Sequence, residues 1–185
     1  PPFDAQESAW YLHADGRLAR EAPGGAATLD YTYDPADPCP TLGGQNLMIP
    51  AGSFDQRPLA ERDDVLVFLS EPLEAPMEFT GVFAARLFVS TDAPDTDFAV
   101  KLVDIYPDGR QMLMLDNIQR LKFRKGFEQA DPLPPGNVGE VVVDLWYMSW
   151  VVDTGHRIGV HVTSSNYPRF EKNPNSGDDF PTEDN

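Results

Sequence analysis

A chain of 185 residues with 41% hydrophobic and 11% aromatic residues can bury a core without disulfide or metal staples, and is too apolar to be disordered. Its 14 Lys and Arg against 30 Asp and Glu leave a net charge of −16, which argues against a nucleic-acid or anionic-membrane surface, because phosphate binding needs clustered cations. The 18 prolines and 14 glycines point to many turns and few long helices, and there is no run of about 18 apolar residues to cross a membrane as a helix.

Cys39 is the single cysteine, so no internal disulfide forms, and a lone thiol fits a reducing, cytoplasmic setting. The opening Pro1-Pro2-Phe3-Asp4 has neither Met nor an apolar run. It reads as the cut edge of something longer rather than as a signal peptide.

In chain order, residues 8–12 and 17–19 flank Ala14-Asp15-Gly16 and predict a short opening hairpin. Residues 28–34 alternate, with Leu29, Tyr31 and Tyr33 on one side, and predict a strand that Pro35, Pro38 and Pro40 stop. Residues 41–58 carry Gly43-Gly44 and Gly52 without a period and read as a long ordered loop, the kind of segment that carries function on a β scaffold. A strand is expected over 65–70, with Val65, Val67 and Leu69 on one face. A long one over 78–91 points Phe83, Ala85, Leu87 and Val89 inward, with an irregularity at Gly81.

Residues 96–106 give the clearest strand. Phe98, Val100 and Leu102 alternate with Ala99, Lys101 and Val103, which predicts one face in a core. Pro107-Asp108-Gly109 turns it into a hairpin with 111–117, and 118–124 extends the sheet. There Arg120, Lys122 and Arg124 share a solvated or ion-paired face opposite Leu121 and Phe123. After a Pro/Gly-rich loop, 140–146 is a strand with Val141, Val143 and Leu145 inward. The last clear strand is 157–163, with Ile158, Val160 and Val162 inward. Residues 164–185 are polar, acidic and without period. Nine to eleven short strands and no convincing helix predict an all-β sandwich, jelly roll or barrel.

Chemistry is sparse. The nucleophile elbow Gly-x-Ser-x-Gly is absent, which speaks against a stand-alone serine hydrolase. His13, His156 and His161 read as structural or exposed histidines. His161 and Ser164 are three apart on a strand and therefore point to opposite faces. Asp92, Asp95 and Asp97, followed by Asp104 and Asp108, are hard oxygen donors, but their spacing departs from a calcium loop and aspartates cap turns. No metal or cofactor site is expected. Trp146, Tyr147 and Trp150 cluster beside Met148. Exposed, they make a ligand platform able to stack a sugar; buried, they are core or inter-domain contact, and their place at the end of an apolar strand favours burial.

Several motifs then come in a fixed order: Asp55-Gln56-Arg57-Pro58, Asp63-Asp64-Val65-Leu66, Ser70-Glu71-Pro72-Leu73 and Gly81. Thr96-Asp97-Phe98 leads into Lys101-Leu102-Val103-Asp104-Ile105-Tyr106-Pro107-Asp108-Gly109. Gly155-His156-Arg157-Ile158 and Ser164-Ser165-Asn166-Tyr167-Pro168 close the set. This pattern, over about 10–177, resembles the C-terminal β domain of the X-Pro dipeptidyl-peptidase and cocaine esterase-like (CocE/NonD) serine hydrolases.

The resemblance implies a single jelly-roll β-sandwich of galactose-binding-domain-like type over residues 1–185, lacking the family's closing strand. It implies a non-catalytic role: packing on an upstream α/β-hydrolase catalytic domain of the same polypeptide, stabilising it, completing its substrate pocket and helping homo-oligomers form. The family's Ser, Asp and His triad lies in that upstream domain, so no catalytic residue is carried here. The loop after the glycine pair approaches the pocket in the family, which makes Leu47 and Met48 candidates for apolar lining. The alternative is an independent carbohydrate- or ligand-binding β-sandwich module.

Overall fold

The computed structural model describes residues 6–178. The opening Pro1-Pro2-Phe3-Asp4 and the end of the polar tail, from 179 onward, lie outside the described residues. Strands β1 (Tyr11–Leu12) and β2 (Leu18–Ala19) form the predicted opening hairpin. A one-turn helix, α1 (Arg57–Ala60), precedes β3 (Leu66–Leu69), β4 (Met77–Val89), β5 (Asp97–Ile105) and β6 (Gln111–Arg120). A 3-10 turn, Leu121–Phe123, then leads by a long loop to β7 (Gly139–Val152) and β8 (Arg157–Thr163). Two layers result. One is an antiparallel four-stranded sheet in the order β3-β8-β5-β6, the other a long antiparallel pair, β4-β7.

Between the layers lies one apolar core. Phe68, Phe98, Val100, Leu102, Leu115, Ile158 and Val162 come from the four-stranded sheet; Leu87, Val141, Val143, Leu145 and Val152 come from the pair. Each such side chain contributes about 1.5–3 kcal/mol on burial. The sandwich is all-β apart from the single turns of helix, as the alternating pattern requires.

Several expectations are corrected. Residues 28–34 form no strand. Tyr31 and Tyr33 are half-buried and their neighbours exposed, so the alternation comes from packing; Tyr31 bonds Ser164 (Oη to Oγ, 2.8 Å). The helix at Arg57 was not expected. Pro58 sits in its first turn, where a missing N–H costs nothing. Residues 65–69 serve three apolar clusters, Leu69 packing with Val103, Ile105 and Leu113 on the outer side of the sheet. Phe68 enters the main one, whereas Val65 and Val67 pack with Cys39 and Leu59 in a small cluster beneath the long loop.

All nine residues of β5 are buried, so its second face is covered as well. The β6 strand ends at Arg120, so Lys122 and Arg124 stand on the following turn rather than along a strand; Arg120 pairs with Asp97 across the ladder and Arg124 with Asp131. The irregularity in the β4–β7 pair lies between Phe83 and Ala84, not at Gly81. Phe83 pairs with Trp146 and Ala84 with Asp144, so Leu145 is the extra residue. Strand β7 also runs on through the aromatic cluster to Val152. Finally, residues 164–178 are tied down: Ser164, Ser165, Asn166 and Asn173 are all buried.

Candidate functional site

The long loop is built from its own polar groups. Gly44 and Gly52 exchange backbone hydrogen bonds (2.8 and 3.0 Å), closing a small ring. Inside it, Asn46 Nδ2 donates to the Gly43 carbonyl and Asn46 Oδ1 accepts from the Ile49 N–H. Buried Gln56 donates through Nε2 to the Leu42 and Phe54 carbonyls, both at 2.9 Å. Thr41 ties the loop's start to the far end of the chain, its N–H donating to the Tyr167 carbonyl and its Oγ1 to the Asn166 carbonyl. At the tip of this fixed frame stand Leu47, 100% exposed, and Met48, 93% exposed. The loop thus holds two large apolar side chains in water.

Beside the tip is a groove of about 270 Å³ whose lining includes Gln45, Asp116, Asn117, Trp146, Arg169 and Phe170. Trp146 has φ 70°, a left-handed conformation that a bulky side chain rarely adopts. The Asp144 carboxylate holds it there, accepting the Trp146 N–H at 2.8 Å, while Asn117 Nδ2 donates to the Asp144 carbonyl. The Trp146 ring is 59% exposed, next to Tyr147 at 73%. The expected burial of these two is thus corrected. Trp150 shares the side of β7 with Trp146, across from Phe79 and Phe83, whereas Tyr147 points the other way; Trp150 packs against the core, and its Nε1–H donates to Asp104 at 3.2 Å. The three rings do not share one platform.

No histidine ring among the described residues is hydrogen-bonded to a serine hydroxyl. His13 Nε2 lies 3.0 Å from the Glu21 carbonyl oxygen, and His156 Nδ1–H donates to Asp104 at 2.8 Å. His161 is fully buried with neither ring nitrogen hydrogen-bonded, and burial, with Lys101 nearby, pushes its pKa down to about 4. Asp92 is exposed, and the others are engaged elsewhere. Asp95 and Asp97 face Arg120 and Asn173, and Asp108 bonds Arg110. No group of three His, Cys, Asp or Glu able to hold a metal occurs among the described residues, nor does a helix long and apolar enough to cross a membrane.

Sequence reasoning missed the floor of the site. Lys101, Asp116, Asn166 and Arg169 meet under the long loop, although they come from two strands and the tail. The available signal was a lysine inside the most apolar strand, at a position that a half-exposed strand would have left in solvent.

The motifs and the geometry agree with what the chain is similar to. Residues 1–183 match the family described as the X-Pro dipeptidyl-peptidase C-terminal non-catalytic domain. The cocaine esterase of Rhodococcus sp. (strain MB1 Bresler) is 44% identical over 164 residues, covering 88% of this chain and 29% of that protein. Among solved structures, an aminopeptidase from a marine sediment Thaumarchaeota archaeon superposes with a TM-score of 0.85 at 37% identity, over 95% of this chain and 32% of that one. An α-amino acid ester hydrolase gives 0.83 at 28% identity with the same coverage. The chain thus spans about a third of the length of the proteins it matches. By fold, motif order and kinship it belongs to the C-terminal non-catalytic domain family of the X-Pro dipeptidyl-peptidase and CocE/NonD-type hydrolases.

Proposed function

We propose that this chain forms one wall of a serine-hydrolase active site. It packs on an α/β-hydrolase catalytic domain of the same polypeptide and stabilises it. Leu47 and Met48 line the pocket that takes the apolar acyl or side-chain part of an ester or X-Pro amide. The observation that carries this reading is the fixed loop with its two fully exposed apolar side chains. The outer face of β4–β7 adds apolar area for the same packing, with Val82, Phe88 and Val151 exposed.

The test uses native extract from the source, labelled with a fluorophosphonate and probed with an antibody to this chain. A labelled band well above the size of 185 residues supports the reading; an unlabelled band at that size ends it. In the active protein, Leu47→Ala and Met48→Ala should raise KM for bulky acyl groups and spare acetyl esters.

A second reading rests on Trp146. An exposed ring beside Gln45, Asn117 and Arg169 offers a stacking face and planar polar groups, the chemistry of saccharide recognition. Calorimetry with millimolar mono- and disaccharides decides it, and the absence of any heat ends it.

A further inference from the structure

Lys101 is 1% exposed in the middle of β5. Its cross-strand partners are Asp116 on β6 and His161 on β8, so the three side chains form a row across the outer face of the four-stranded sheet. The long loop and the segment after β8 roof this row with Cys39, Thr41, Asn166 and Arg169. Lys101 Nζ donates to Asn166 Oδ1 at 2.8 Å, and Asn166 Nδ2 donates to Asp116 Oδ2 at 2.7 Å. The other Asp116 oxygen accepts from Arg169 Nη1. This charged end presses on Gly44. A Cβ there would lie 2.9 Å from Asp116 Oδ1 and 3.0 Å from Arg169 Nη1, at a φ of 87°. Gly44 is half of the Gly44–Gly52 pair that closes the ring bearing Leu47 and Met48.

Burying an ammonium is costly, and apolar replacements of buried ions are often neutral or stabilising. The lysine therefore needs a reason other than stability. We propose that Lys101 is a positioning residue: the chain Lys101–Asn166–Asp116–Arg169 fixes the frame of residues 43–54 and so sets where Leu47 and Met48 stand. That this position matters to a substrate rests on the hydrolase reading above; the mechanical claim does not.

The device has a sign with pH. The titratable or charged groups facing Lys101 are Asp116 from β6, His161 from β8, Cys39 from the loop and Arg169 from the tail. Burial lowers the Lys101 pKa and Arg169 adds to this, against the opposing pull of Asp116 and Cys39. On the alkaline side the ammonium loses its proton and Asn166 its charged donor, and the frame loosens.

The test is peptide-resolved hydrogen exchange on the full-length protein that carries this chain, comparing residues 43–54 with β5 and β8. Lys101→Met should lower protection of 43–54 by about tenfold, the weight of one charge-assisted hydrogen bond, and leave β5 and β8 unchanged. Wild type should show the same selective loss as pH rises on the alkaline side, below the range where an ordinary lysine titrates. Unchanged protection in the variant, or a loss shared equally by all three segments, overturns the proposal. If the variant does not fold, the wild-type titration decides, and protection that stays constant with pH overturns it. In the active protein, Lys101→Met should raise KM for bulky acyl substrates with kcat little changed. A protein with no hydrolase activity at all would end the hydrolase reading while the exchange result still judged the positioning claim.

Discussion

Arg120 and Asp97 face each other across the β5–β6 ladder, with Nε to Oδ1 at 2.9 Å and Nη2 to Oδ2 at 3.2 Å. Asp95 lies 3.9 Å from the same guanidinium, and burial raises its pKa. Asn173 donates to both carboxylates, which ties the tail to this cluster. Arg120→Met leaves buried Asp97 without its close cation and should cost about 3–5 kcal/mol. Adding Asp97→Asn should restore part of that. Urea midpoints of the single and double variants check it, and proteolysis should find residues 171–178 newly accessible in the single variant.

His161 gives a pH dependence whose sign is fixed. Its pKa drops from 6.5 to about 4 on burial, so below 6.5 the unfolded chain binds a proton that the native state refuses. Stability therefore falls as pH drops from about 6.5 to about 4, by about 3 kcal/mol for this group, and levels off below. His161→Leu, close in size, removes no hydrogen bond because both ring nitrogens are unpaired. The difference between the wild-type and variant midpoints should grow with acidification over that window. A difference independent of pH would refute the neutral, buried ring.

Leu102 sits between Leu115 on β6 and Val160 on β8 and points into the main core. Leu102→Asp places an unpaired carboxylate there and should cost about 4 kcal/mol or more. A denaturation midpoint equal to wild type would refute the face assignment of β5.

Trp146 pays a conformational cost of about 1–3 kcal/mol for its left-handed backbone, and its side chain is mostly exposed. Trp146→Asn, which tolerates that conformation, should be neutral or more stable by about 1 kcal/mol. A clear loss of thermal stability would mean that the ring contributes more to packing than its exposure implies. Stability retained with altered ligand or substrate behaviour would place the ring's value at the groove.

The strands were legible because period-2 alternation reports directly on burial. The β5–β6 hairpin, the inner face of β4 and the inner face of β8 follow from Phe98, Phe83 and Ile158 with their neighbours. Residues 28–34 misled for the same reason: a loop that half-buries Tyr31 and Tyr33 shows the alternation of a strand without its ladder. Alternation also hid the second buried face of β5, since Lys101 looks like a solvent residue until Asn166, 65 positions away, is seen to cap it.

By itself the sequence determined an acidic all-β sandwich, its main hairpins and the family, because local pattern and ordered motifs carry that information. Only the tertiary structure decided that Trp146 and Tyr147 face water while Trp150 faces the core. It alone brought Lys101, Asp116, Asn166 and Arg169 together beneath the loop. Those outcomes depend on a one-residue bulge and on contacts between segments far apart in the chain, and neither leaves a periodic trace in the sequence.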